Sequence, residues 1–169
     1  MKKIRVLHLV GGPISGGAFK GSFILHKSLQ KLGVDSKILN NCPINDKEGF
    51  LENNNISLIF VNKNIFQKIL NKFFVIIEKI FKQIFLKTPR STFTLGVLGF
   101  DITKLIEYKE TDIIHIHFLN DGFLKLSSIK KIKKPIVWTM RDMWPFTGGS
   151  HYTYDFQEFE SGRISTILK

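Results

Sequence analysis

Cysteine is almost absent. Cys42 is the only one in 169 residues, so no internal disulfide can form and a reducing compartment is the natural setting. Long apolar runs are absent as well. No stretch approaches the ~18–20 residues that span a bilayer. The run at 4–10 is interrupted by His8 and stopped by Gly11-Gly12-Pro13, so it reads as a strand and not as a leader. The expectation is a cytoplasmic chain, non-spanning, with peripheral contact to the inner face of the membrane left open. Arginine is scarce: only Arg5, Arg90, Arg141 and Arg163 occur. Nucleic-acid readers cluster Arg for bidentate contacts, so the scarcity argues against a nucleic-acid partner. Acids are few, and the net charge of +11 is carried mainly by Lys. Such a balance suits anionic lipid or phosphorylated substrates; a compositional bias toward Lys, Asn, Ile and Phe accounts for it equally. Repeats and low-complexity linkers are lacking.

The length suits one domain with its own core. Residues 4–10 form a buried strand bounded by glycines. Residues 16–32 follow as a helix, with Phe19, Phe23, Ile24, Leu29 and Leu32 at helical spacing and Gly33 as the stop. Residues 34–39 return to a strand, which completes a βαβ unit. A polar loop covers 40–55, and 56–61 reads as a further strand. Residues 64–86 carry the longest helical signal. Ile65, Ile69, Phe73, Ile76, Ile77, Ile80, Ile84 and Phe85 form one stripe, widened by Phe66, Leu70, Phe74 and Phe81, with Lys68, Lys72, Lys79 and Lys82 opposite. Residues 88–99 read as an irregular connection, 112–118 as a strand, 124–132 as a short helix and 135–139 as the last strand. Alternating elements of this kind predict an α/β fold: an open, mainly parallel sheet with helices on both faces.

In such folds ligands bind at the carboxyl ends of the strands. The loops 11–17, 120–122 and 140–154 all follow strands, so all three converge there. Loop 11–17 holds four glycines before a helix, which lets backbone N–H groups approach a phosphate or sugar. It matches neither GxGxxG nor a P-loop, and a tight turn needing positive φ is the alternative. His115 and His117 alternate along a strand and share a face. No Asp, Glu or Cys accompanies them at ligand spacing, so no metal is expected. His117, nearer the carboxyl end, is the better placed to meet a hydroxyl or phosphate. Arg141 offers a planar fork for phosphate or carboxylate, with Asp142 as its orienting partner or as an acceptor from a hydroxyl. Both Trp residues, Trp138 and Trp144, fall in 135–154 beside His151, Tyr152 and Tyr154. Such a loop can stack rings and hydrogen-bond hydroxyls, or pack upon itself. The basic helix at 64–86 either covers the core or lies on an anionic membrane through Phe66, Lys68, Lys72, Phe73, Ile77 and Phe81.

The runs VLHLVGGPISGGAFKGSFILHKSLQKLGVDSKIL, DIIHIHFLNDGFL and KPIVWTMRDMWPFTGGSHYTYD together resemble the amino-terminal half of bacterial family-4 glycosyltransferases, which assemble surface polysaccharides. The resemblance spans nearly the whole chain, and its last run is the specific one. It implies a Rossmann-like half of a GT-B fold over 1–155, followed by a tail at 156–169 that breaks off where the family continues into a donor-binding domain. It further implies retaining transfer from a nucleotide-sugar, a co-substrate with no other cofactor and no metal, to a glycan or lipid-linked acceptor. His117 and Asp142 then stand as the catalytic pair, and Gly16, Gly17, Asn120, Arg141, Trp144, His151 and Tyr152 as substrate contacts. A separate donor-binding domain becomes an expected partner. Two departures stand out. Arg141 sits where the wider family more often has His, and Arg cannot act as a base. Ser150 and Phe156 replace a cysteine pair, so the staple those cysteines make is expected to be absent. A non-catalytic membrane- or glycan-binding module, or the remnant of a split gene, is the alternative.

Overall fold

The computed structural model describes residues 3–41, 58–61, 64–85, 93–147 and 149–152. Cys42, Tyr154, Phe156, the boundary at 155 and the tail at 156–169 lie outside the described residues. Five strands, β1 (Arg5–Val10), β2 (Asp35–Asn40), β3 (Leu58–Phe60), β4 (Ile113–Phe118) and β5 (Ile136–Trp138), form one sheet. Every pairing is parallel and the order is β3-β2-β1-β4-β5. This is the open, doubly wound arrangement of a Rossmann-like α/β domain. The helices are α1 (Gly17–Lys31), α2 (Ile65–Phe85), α3 (Ile106–Glu110), α4 (Leu126–Ile129) and α5 (Trp144–Thr147), with a 3-10 turn at Ile102–Lys104.

The central strands are apolar on alternate sides, and each side collects a different set of helices. Leu7, Leu9, Leu39, Ile114 and Ile116 join Ile102, Tyr108, Phe123, Leu124, Ile132 and Trp144 in the larger apolar cluster, which holds the 3-10 turn, α3 and α4 against the sheet. Each fully buried Leu, Ile or Phe there contributes about 1.5–3 kcal/mol. The other side pairs Val10 and Ile38 with Phe19 and Phe23 of α1. Helices therefore cover both faces.

Helix α1 turns Phe19, Ser22, Phe23 and His26 inward, an i, i+3, i+4, i+7 seam, while Ile24 and Leu32 are exposed. The seam expected through Ile24 and Leu32 is corrected on this point: His26, not a larger apolar residue, closes it. Gly33 ends the helix as expected. It takes φ +81°, its N–H reaches Gln30 O at 3.0 Å, and Val34 N–H reaches Leu29 O at 3.0 Å. That bond pair is a Schellman cap, which needs a left-handed residue and so favours glycine.

Helix α2 docks through Asn71, which accepts from Asn41 Nδ2 at 3.1 Å, and Glu78, which accepts from Gly96 N–H at 3.3 Å. Phe74 packs edge-on against Phe100. Ile65, Phe66, Ile69, Phe73, Ile76, Ile80 and Ile84 face solvent, as do Lys68, Lys72 and Lys79. The apolar stripe is thus turned outward; of the residues assigned to membrane contact, Ile77 and Phe81 are half-buried and the other four exposed. Among the described residues no helix is long and apolar enough to cross a membrane.

Candidate functional site

The sheet order reverses between β1 and β4, and the loops that leave these strands meet beyond their carboxyl ends. Gly11 N–H donates to Phe118 O at 2.7 Å, and a Cβ on Gly11 would lie 2.7 Å from Asn120 O. Gly12, at φ +80°, donates its N–H to Asn41 Oδ1 at 3.1 Å. The first two glycines of the run therefore serve close loop packing and a turn. Gly16 and Gly17 open α1: Gly16 is its N-cap residue with no side-chain cap, and nothing approaches within 4 Å of where a Cβ on Gly17 would stand.

Arg141 and Asp142 lie beyond the end of β5 and join different side-chain clusters. No ion pair forms between them, which corrects the expected partnership. Arg141, exposed, lies across α1: a Cβ on Gly21 would fall 2.6 Å from Arg141 Nη1. Its Nη2 lies 3.1 Å from His117 Nδ1. His117 Nε2 is 3.0 Å from His8 Nδ1, His8 Nε2 is 3.0 Å from Ser36 Oγ, and Ser36 Oγ is 2.8 Å from His26 Nδ1. Arg141 can only donate, and that fixes the direction of the rest. His117 Nδ1 accepts, so a neutral His117 carries its proton on Nε2 and gives it to His8 Nδ1. His8 then donates from Nε2 to Ser36, whose own hydroxyl proton is available to His26. His115 stacks on His117 with ring centroids 4.2 Å apart and pairs through Nε2 with Thr139 Oγ1 at 2.8 Å.

Burial keeps this row neutral. It pushes His8 down to about 3, helped by His115 and His26, and His117 down to about 3, helped by His115, His8 and Arg141. His26 and His115 are lowered too, first by burial and then by Lys27 and Arg141 respectively. His8, His115 and His117 could hold a metal ion, since one ring nitrogen from each lies within 4.8 Å of the others. Spacing in the sequence missed this because His8 arrives from another strand, opposite His115 in the register. The fixed positive charge of Arg141 against His117 opposes a cation there.

The second cluster lies on the side of the larger apolar cluster. Asp142 Oδ2 accepts from His151 Nδ1 at 2.5 Å, and Asp142 Oδ1 accepts from Trp144 N–H at 3.0 Å. His151 Nε2 pairs with Thr94 Oγ1 at 2.9 Å and lies 3.4 Å from Asn120 Nδ2. Asn120 is 3 % exposed, and among the described residues its Oδ1 has no partner. Trp144 is buried in the apolar cluster, its indole N–H given to Thr94 O at 2.8 Å and its ring seated on Gly96, where φ is +65°. Tyr152 is exposed. Ser150, buried, donates its hydroxyl to Tyr152 O at 2.6 Å.

The structure thus brings His117 to Arg141, and Asp142 to His151, Asn120 and Trp144, without joining the two sets. Sequence reasoning missed His8, Ser36 and His26, and also Asp121. The last sits at φ +59° beside Gly12, its carboxyl raised by burial against the opposing pull of His151 and Lys79. The Asn-Asp-Gly turn was its available signal. A cavity of about 590 Å³ opens at the opposite, amino end of the sheet around Arg5, Gln30, Gly33 and Asp35. Ser36, the link between His8 and His26, also lines it.

No family model matches the chain, and no curated protein matches it. Among solved structures it is similar to a glycosyltransferase from Rickettsia africae ESF-5, at 22% identity and a TM-score of 0.41, over 82% of this chain and 30% of that one. The chain therefore spans less than a third of that protein's length. The Rossmann-like assignment rests on the sheet order and the parallel pairing themselves.

Proposed function

We propose that this chain forms the acceptor-side wall of a retaining glycosyltransferase of the two-domain GT-B kind. It would transfer a sugar from a nucleotide-sugar to a polysaccharide or lipid-linked acceptor, with the donor held by a separate domain. The observation that carries the reading is the convergence of loops 11–17, 120–122 and 140–152 at the carboxyl edge where the strand order reverses. The sequence resemblance supports the same reading. In it Gly16, Gly17, Arg141 and Tyr152 line the cleft, and Asn120 and His151, both buried, support its wall. Trp144 acts from beneath, holding the loop. Asp142 and His117 are the groups nearest the chemistry: Asp142 fixes the His151 ring, and His117 fixes Arg141. The exposed face of α2 supports peripheral contact with anionic lipid, apolar side chains inward and Lys68 and Lys72 at the headgroups.

The test is transfer of labelled sugar from UDP- or GDP-sugars into membrane lipid or polysaccharide by the chain paired with a nucleotide-sugar-binding domain. Incorporation is expected with the pair and is lost in Asp142→Asn. Turnover by the chain alone contradicts the need for a separate donor-binding domain, and no incorporation by the pair contradicts the enzyme reading. The outward stripe also favours a second reading, a non-catalytic membrane- or glycan-binding module. That reading predicts flotation with anionic vesicles, abolished by Phe73→Glu, without any transfer.

A further inference from the structure

The geometry points to the Arg141 guanidinium as a receptor for a phosphate oxygen of the ligand, with His117 as its positioning residue. This inference rests on the carboxyl edge being a ligand wall and assigns the chemistry of one subsite on it. Arg141 is exposed, and among the described residues no carboxylate pairs with it. Its neighbour Asp142 is committed to His151 and to the Trp144 N–H. A guanidinium has five N–H donors. One is spent on His117 Nδ1 at 3.1 Å, and that acceptor is neutral, so the positive charge stays uncompensated.

Its position is also prepared. The bonds from His117 to His8, from His8 to Ser36 and from Ser36 to His26 tie the acceptor ring across three strands' worth of sheet and into α1. Both nitrogens of His117 are thereby engaged and the ring is 2 % exposed, so it orients Arg141 and does not itself reach a ligand. Gly21 leaves the seat on α1 open: a Cβ there would stand 2.6 Å from Nη1 and 3.0 Å from Nη2. Gly17 lies one turn earlier on the same helix face, at the amino end, where its missing side chain leaves open space. An anion resting on Arg141 would meet the first-turn N–H groups of α1 from that side. A phosphate or diphosphate matches the planar fork of Arg better than a neutral hydroxyl does.

The experiment titrates the whole chain with inorganic pyrophosphate and follows the Arg Nε–H and histidine ring nitrogens by NMR. A saturable shift at Arg141 and His117 is expected. Arg141→Gln should weaken binding about tenfold or more, the loss of one charge-assisted contact. Gly21→Ala, which favours the helix and so preserves the fold, should weaken it in the same direction by unseating the guanidinium. Wild-type affinity in Arg141→Gln or in Gly21→Ala overturns the proposal, as does the absence of saturable binding at millimolar pyrophosphate. Repeating the titration with UDP and with decyl phosphate identifies the source of the phosphate. Tighter UDP binding assigns the subsite to the donor, and tighter decyl phosphate binding assigns it to a lipid-linked acceptor. Failure of sugar transfer with anion binding intact would count against the enzyme reading alone.

Discussion

The two faces of this sheet are cut from the same strands yet built on opposite plans. β1 sends Leu7 and Leu9 to one side and His8 to the other; β4 sends Ile114 and Ile116 to one side and His115 and His117 to the other. The first side is dry and closed by Phe123, Leu124 and Ile102. The second is equally buried, but its middle is a row of neutral imidazoles joined by directed hydrogen bonds. Apolar burial is non-directional and gives stability wherever it occurs. A buried polar row gives little net stability and costs heavily when broken, because each group left unpaired keeps its desolvation penalty. One face therefore holds the domain together, and the other fixes where Arg141 sits.

The difference can be broken from either side. Phe123→Ala, at a fully buried position on the dry face, should cost about 3–5 kcal/mol, read as a lowered midpoint in urea, and should leave the position of Arg141 unchanged. His8→Ala on the polar face removes the partner of both Ser36 and His117. It should cost about 1–3 kcal/mol for an orphaned buried group; its distinguishing mark is movement of the Arg141 and His117 resonances. A cost as large as that of Phe123→Ala with those resonances unmoved would erase the distinction.

Acid should separate the faces more gently. His8 and His117 are held at about 3 in the fold, against 6.5 for an ordinary histidine. The folded pKa is depressed, so their contribution is complete above pH 6.5 and declines as pH falls from there toward about 3. Asp121 and Glu78, raised by burial, work in the reverse sense: their carboxyls charge less readily in the fold, which recovers some stability as pH falls. The histidines should lower urea midpoints between pH 7 and pH 5, and the two carboxyls should oppose that fall. His8→Leu should flatten that decline and Phe123→Ala should preserve it.

Much of this was legible in the residue order. The runs at 4–10, 112–118 and 135–139 contain β1, β4 and β5, because short apolar runs bounded by Gly, Pro or Asp have few alternatives. Gly33 was legible as a stop for the same local reason. Helices α3 and α5, of five and four residues, are too short to show a period and were not foreseen. The stripe on α2 was legible as a face, but which way a face turns depends on what docks opposite; Asn71, Phe74 and Glu78 decided it. At the site, His115 and His117 were visible as a pair because they share a strand. His8 and His26 were not, since strand register and helix packing bring them in from elsewhere. The parting of Arg141 from Asp142 was not legible, because it happens in the bend beyond β5 and each side chain is drawn to partners distant in sequence, His117 for Arg141 and His151 for Asp142.

The central claim is that Arg141 sets the direction of a neutral histidine row, and the ring nitrogens of the histidines report it directly. At pH 7, ¹⁵N-resolved NMR should show His117 and His8 neutral, each protonated on Nε2 with Nδ1 bare, and Arg141→Gln should loosen that preference at His117. A His117 protonated on Nδ1, or an imidazolium at either position, would contradict the account.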